Sequence, residues 1–184
     1  MQPVSPAATR YDTTTIIFHW ATAILVAEQW LGAQIIDWFP RGALRVDARS
    51  VHITCGVLLA IILLGRIVWR LTQGRRLPLA DGPALSVIAK ATHWGLYGLL
   101  VAMVLVGMAL AWTRGDSIFN SFTIPAFDPG NHALADQVQE VHATIGWMIV
   151  ALTGLHAAAA LFHRYVWRDG VLGRMLPNTR NRLC

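Results

Sequence analysis

The chain has 184 residues, a net charge of +5, 55% hydrophobic residues and only 14% charged ones, with a mean hydropathy of +0.47. That balance is too apolar for a water-soluble domain of this length. The basic residues flank apolar runs instead of lining a groove with stacking aromatics, which argues against a nucleic-acid partner.

Residues 1–15 are polar, contain Pro3 and Pro6 and hold no apolar segment, so no removable signal peptide is expected. Four apolar runs follow, at about 16–38, 51–71, 87–112 and 138–167. Each approaches or exceeds the roughly 20 residues that cross a bilayer as helix. The first connection, DWFPRGALRVDARS, carries Pro40 and Gly42 as helix stops, then Arg41, Arg45 and Arg49 at a spacing of four, which predicts a short helix with three arginines on one face. TQGRRLPLADGPALS is a short turn, and residues 113–137 form a longer loop lying in the membrane interface. No internal repeat or low-complexity tract interrupts this plan. The expected fold is an all-α, integral membrane four-helix bundle, one domain over residues 1–184 that sits in the lipid bilayer.

Charge sets the orientation. Arg10, Arg66, Arg70, Arg75, Arg76, Lys90, Arg164, Arg168, Arg174, Arg180 and Arg182 fall on one side of the spans, whereas Arg41, Arg45, Arg49 and Arg114 fall on the other. The positive-inside rule then predicts that both termini and the 72–86 turn are cytoplasmic. Trp38, Trp69, Trp112 and Trp167 stand at span ends, as expected of amphipathic rings at headgroup depth. Cys55 lies within a span and Cys184 ends the chain, so no disulfide is expected; with no C-x-x-C-H run, any haem is held without thioether links.

Ionisable side chains in hydrocarbon point to function by default. His142 and His156 are fourteen residues apart, a separation that returns a helix to nearly the same azimuth after about 21 Å of rise. Gly146 lies on their face, free of a side chain that would block a flat ring. His19 begins the first span and His52 the second, at the depths of His156 and His142 respectively. Pairing His19 with His156 and His52 with His142 gives two bis-imidazole sites stacked across the bilayer. Two imidazoles on opposite faces of a porphyrin saturate the iron and favour outer-sphere electron transfer. Zinc would need its ligands to converge at one point, and these separate into distant pairs. Spacing alone leaves His93 open as a partner of His156.

The segments IIFHW at 16–20, VHITCG at 51–56, HWGLYGLL at 93–100, VHATIGW at 141–147 and GLHAAAALFHRYVWRDGVLGRMLP at 154–177 resemble the prokaryotic cytochrome b561 family, in particular its di-haem superoxide:ubiquinone oxidoreductase branch in the bacterial inner membrane. The resemblance implies two non-covalent b-type haems, with iron ligands His19 and His156 towards the cytoplasm and His52 and His142 outside, and decides against His93 as a ligand. It also implies superoxide as donor and ubiquinone as acceptor, with no obligatory protein partner. On that basis Arg41, Arg45 and Arg49 are the candidate residues for steering a small anion, with headgroup or propionate contact as the plainer reading. His93 and His163 are candidates for contacting quinone oxygens. Glu28, mid-span, is expected to be protonated or paired, and reads either as a proton-path residue or as a structural partner for Gln29 or another span. His132 reads as a solvated loop residue and Cys55 as a small core residue. An electron-transfer subunit serving a partner dehydrogenase is the competing reading, and a haem-free histidine-lined metal transporter a more distant one.

Overall fold

In a computed structural model, residues 10–75, 77 and 82–176 are described; Arg76, Arg180, Arg182 and Cys184 of the sequence reading lie outside them. Four long helices, α1 (Thr13–Ile35), α2 (Ala43–Thr72), α3 (Pro83–Arg114) and α4 (His132–Phe162), form the fold. All four are long and apolar enough to cross a membrane. The protein is an all-α membrane four-helix bundle, in which α1 packs chiefly on α2 and α3 chiefly on α4. Leu63, Leu100 and Ile149, one each from α2, α3 and α4, are the buried centre, with Val26, Tyr97 and Met103 packed around them. Large apolar side chains such as Ile24, Leu64, Leu105 and Leu155 point outward. In lipid that outward surface needs no covering, and close helix packing relies on small residues instead. Gly65 faces the Phe18 ring and Gly95 a Leu152 methyl, where an added Cβ would come to 3.1 and 3.2 Å.

Polar latches fasten the end where the described chain begins and finishes. Asp12 caps α1, accepting from the Thr15 N–H at 2.8 Å and the Thr15 hydroxyl at 2.7 Å. Its carboxylate also accepts from the Trp69 indole at 3.0 Å and the Arg75 N–H at 3.1 Å, so one side chain joins the start of α1 to the end of α2. Burial opposes ionisation there, but these hydrogen bonds overcome it and lower the Asp12 pKa from 3.8 to about 2. The Trp20 indole donates to the Met175 carbonyl at 2.8 Å, and the Tyr11 N–H to the Arg174 carbonyl at 3.2 Å. Trp69, expected as a membrane-interface ring, therefore also holds two helices together.

At the opposite end the first and third connections depart from expectation. Apart from a 3₁₀ turn at Ile36–Trp38, no separate short helix carries the arginines, because α2 starts at Ala43, just after Gly42 at φ 125°, and runs unbroken through the second span. The third connection holds a small antiparallel hairpin, Ser117–Ile118 (β1) with Phe122–Thr123 (β2). Gly115 ends α3 in the left-handed region at φ 64°, and Phe119 and Asn120 turn the hairpin at φ 49° and 54°. Left-handed backbone costs a non-glycine residue about 1–2 kcal/mol, and the fully buried Ser50 offsets it by accepting from the Phe119 N–H at 2.8 Å while donating to the Val46 carbonyl at 2.7 Å. His132, expected in the loop, is instead the first residue of α4, whose N-cap Asn131 accepts from the Leu134 N–H at 3.1 Å. At its far end α4 loosens into a π-helical turn, His163–Trp167, closed by Arg168 at φ 56°.

Candidate functional site

The bundle brings four histidines together in two pairs. His19 of α1 and His156 of α4 have ring centroids 6.2 Å apart with planes at 65°. His52 of α2 and His142 of α4 are 6.3 Å apart at 74°. Helix α4 supplies one member of each pair through its fourteen-residue repeat of azimuth. Nδ1 of both His52 and His142 is buried with no hydrogen-bond partner, an arrangement that disfavours a ring serving only as a packed core residue.

These distances test what the pairs can hold. Imidazole nitrogens bound to opposite sides of one metal at about 2.0–2.1 Å put the ring centroids roughly 6 Å apart. Both pairs have that separation. His93 of α3 lies nearer to His156, at 5.4 Å, closer than placement on opposite sides of a metal requires. Among the described residues no three His, Cys, Asp or Glu side chains converge as a metal cluster, so the rings act as pairs. Space for a flat group comes partly from a residue the sequence reading passed over: a Cβ on Gly107 of α3 would meet His142 Cε1 at 3.2 Å and Nδ1 at 3.6 Å. Gly146 faces the Met103 methyl instead, at 3.4 Å from an added Cβ, and so serves the α3–α4 contact. The side chains present fit two bis-imidazole porphyrins.

Charge differs between the pairs. Beside His19, the Arg66 guanidinium on α2 reaches Nδ1 at 3.3 Å and sits over the Tyr97 ring at 5.1 Å from its centroid. Arg66 entered the sequence reading only as a topological charge, since nothing along the chain marks that it shares a depth with His19. Near the other pair, the Gln29 amide donates to the His52 carbonyl at 2.8 Å. Glu28 lies beside the Cys55 thiol of α2, and its Oε2 is buried with no hydrogen-bond partner. Of the partners weighed for Glu28, the neighbouring span is the element it lies against.

Arg41, Arg45 and Arg49 do not all share a face. Arg41 is exposed in the turn before α2. Arg45 pairs with Asp37 at 3.4 Å and donates to the Phe39 carbonyl. Arg49 pairs at 3.0 Å with Asp116, which is only 7% exposed. The proline and glycine stops keep residue 41 out of the helix, so the four-residue spacing cannot align it. At the other end His163 is bonded to Asp169 and set edge-on to Trp167 at 4.7 Å. Slight burial opposes ionisation of Asp169, yet the His163 bond and the Val171 N–H hold its carboxyl below the usual range. No direct ring contact joins His163 to the His19/His156 pair among the described residues.

A membrane bundle whose helices present paired imidazoles at two depths has the side chains a b-type cytochrome needs. The family described as prokaryotic cytochrome b561 matches residues 10–178. The chain is 30% identical over 174 residues to the probable superoxide oxidase CybB of Yersinia pestis, covering 93% of this chain and 98% of that protein. It is 30% identical over 177 residues to cytochrome b561 homolog 1 of Escherichia coli K12, covering 93% and 99%, and 31% identical over 171 residues to cytochrome b561 homolog 2, covering 91% of each. The chain belongs to the prokaryotic cytochrome b561 family, and is therefore a multi-pass membrane electron-transfer protein that binds haem b.

Proposed function

We propose that this chain is a self-contained superoxide:ubiquinone oxidoreductase of the bacterial inner membrane, with two haems and both termini cytoplasmic. The described helices act as one domain. The observation that carries the reading is the pair of matched imidazole separations, 6.2 and 6.3 Å, held at two depths by one helix. His19 and His156 are assigned to the cytoplasmic haem, and His52 and His142 to the external one. Bound between these imidazoles, the haems would supply one-electron carriage. The Yersinia relative is named a probable superoxide oxidase, which supports the choice of donor.

This chain's own residues bring superoxide in, transfer protons and keep the two haem pockets apart. Arg41, Arg45 and Arg49 steer the superoxide anion at the hairpin end. Arg41 contributes most, since Arg45 and Arg49 are each faced by a carboxylate. His93, exposed on α3 beside His156, donates a hydrogen bond to a ubiquinone oxygen. His163 with Asp169 relays a proton at the cytoplasmic surface, with Asp169 orienting the ring. The buried apolar centre at Leu63, Leu100 and Ile149 excludes water between the pairs.

Anaerobic mixing of the purified protein with a superoxide pulse tests this. The haem bands are expected to reduce without any partner protein and to reoxidise when ubiquinone is added. A haem-loaded protein that ignores superoxide but accepts electrons from a dehydrogenase would support the subunit reading instead. Changing Arg41, Arg45 and Arg49 together to Gln is expected to lower the superoxide rate several-fold and flatten its ionic-strength dependence. Arg41→Gln alone should reproduce most of that loss; an unaltered triple variant would remove steering from the account.

A further inference from the structure

Arg66 stands apart from the other described arginines around the bundle. It lies six residues before the end of α2, Ala43–Thr72, half-buried next to His19 and on the face of Tyr97. Among the described residues no carboxylate forms an ion pair with it, whereas Arg45 and Arg49 each have one. It also interacts electrostatically with His93 and His156. A cation in a membrane interior is costly without a counter-charge, and an aromatic face recovers only part of that cost.

The contact with His19 does not solve the problem. Guanidinium only donates hydrogen bonds, so Arg66 needs an unprotonated Nδ1. A neutral imidazole that gives its other nitrogen to iron carries its proton on Nδ1. Two donors would then face each other across 3.3 Å. The contact suits a ring without metal, and metal binding sets Arg66 free for another acceptor. What a b-type haem brings to this place, besides iron, is a pair of carboxylates.

We propose that Arg66 is the counter-cation of the His19/His156 haem: with haem bound, its guanidinium leaves His19 for a porphyrin carboxylate while keeping its seat on Tyr97. This rests on the assignment of a haem to that pair. Arg66 is a positioning residue, since it acts on the iron through the macrocycle. A fixed positive charge favours the reduced iron, which carries one positive charge fewer. Arg66 therefore makes the His19/His156 haem the easier of the two to reduce and draws electrons towards it. The other pair has Arg114 in reach of His142; Arg114 bonds Gln139 and lies among the Arg49 cation and the carboxylates of Asp116, Asp136 and Asp37, whereas no carboxylate forms an ion pair with Arg66 among the described residues.

Redox titration of the full-length protein, followed at both haems in the visible spectrum, tests the proposal with Arg66→Gln and Arg66→Lys. In the Gln variant two haems stay bound, and the His19/His156 haem shows an about tenfold lower reduced-to-oxidised ratio at a given potential, about 59 mV for one electron. The other haem is unmoved. The Lys variant recovers most of that shift because it restores charge. Redox-difference infrared spectra should lose one carboxylate feature in the Gln variant and regain it, displaced, in the Lys variant. Selective loss of one haem in the Gln variant, restored by Lys, also supports an anchoring cation. Unchanged potentials and infrared bands in a two-haem Gln variant would overturn the proposal, as would a Lys variant that behaves like Gln. Wild-type protein with no haem at this pair would instead sink the underlying ligand assignment, and is read from the haem-to-protein ratio before any variant is made.

Discussion

The two ends of the bundle hold nearly identical imidazole pairs in opposite electrostatic settings. On the side of His52 and His142, two arginines meet carboxylates within the protein: Arg49 meets Asp116 and Arg45 meets Asp37. Around His19 and His156, Arg66 has no carboxylate partner among the described residues. A pair of like ligands becomes directional when only one member has beside it a cation that no protein carboxylate pairs. Ligand geometry in this fold sets that an electron can be held, and the surrounding charge sets where it rests.

The harshest break of that comparison removes a ligand. His52→Ala or His142→Ala is expected to halve the haem-to-protein ratio in a pyridine haemochrome assay and leave the His19/His156 site loaded; His19→Ala or His156→Ala should do the converse. Loss of both haems from every variant would mean that the two sites fold as one. Next comes Gly107→Val. Its Cβ would lie 3.2 Å from His142 Cε1, and the branches beyond it have no room, so the external haem should be lost or shifted in its low-spin bands while the other is spared. Asp116→Asn leaves Arg49 unpaired and slackens the hairpin, and about 2 kcal/mol of stability should go with it, read as an earlier thermal transition. The smallest effect lies in the opposite half. Asp12 is depressed from 3.8 to about 2 when folded, so its contribution is fully present above pH 3.8 and fades as pH falls through about 2. Asp12→Asn should flatten the acid limb of the stability profile in that window and leave neutral-pH haem spectra unaltered.

Spans, helix count and histidine pairing were legible because each depends on period and length along one helix. His142 and His156 announce a shared face by their spacing alone. What the chain concealed depends on contacts between helices. Arg66 reads as one more cytoplasmic charge until α1 and α2 are placed side by side. Gly107 is one of several glycines in apolar runs, and only the position of the His142 ring distinguishes it. The hairpin was unreadable because its strands are two residues each, too short for any alternation to register, and its turn uses Phe119 and Asn120 in place of glycine. The misplaced arginine face had a local cause: α2 starts at Ala43, two residues too late for Arg41 to join it.

Helix α2 has a mechanical implication. It runs unbroken for 30 residues, and His52 and Arg66 are, like His142 and His156, fourteen residues apart on it. Tilting or sliding such a rod shifts the outer iron's ligand and the inner positive charge together, so a thicker or thinner lipid environment would retune both ends of the electron path in a single movement.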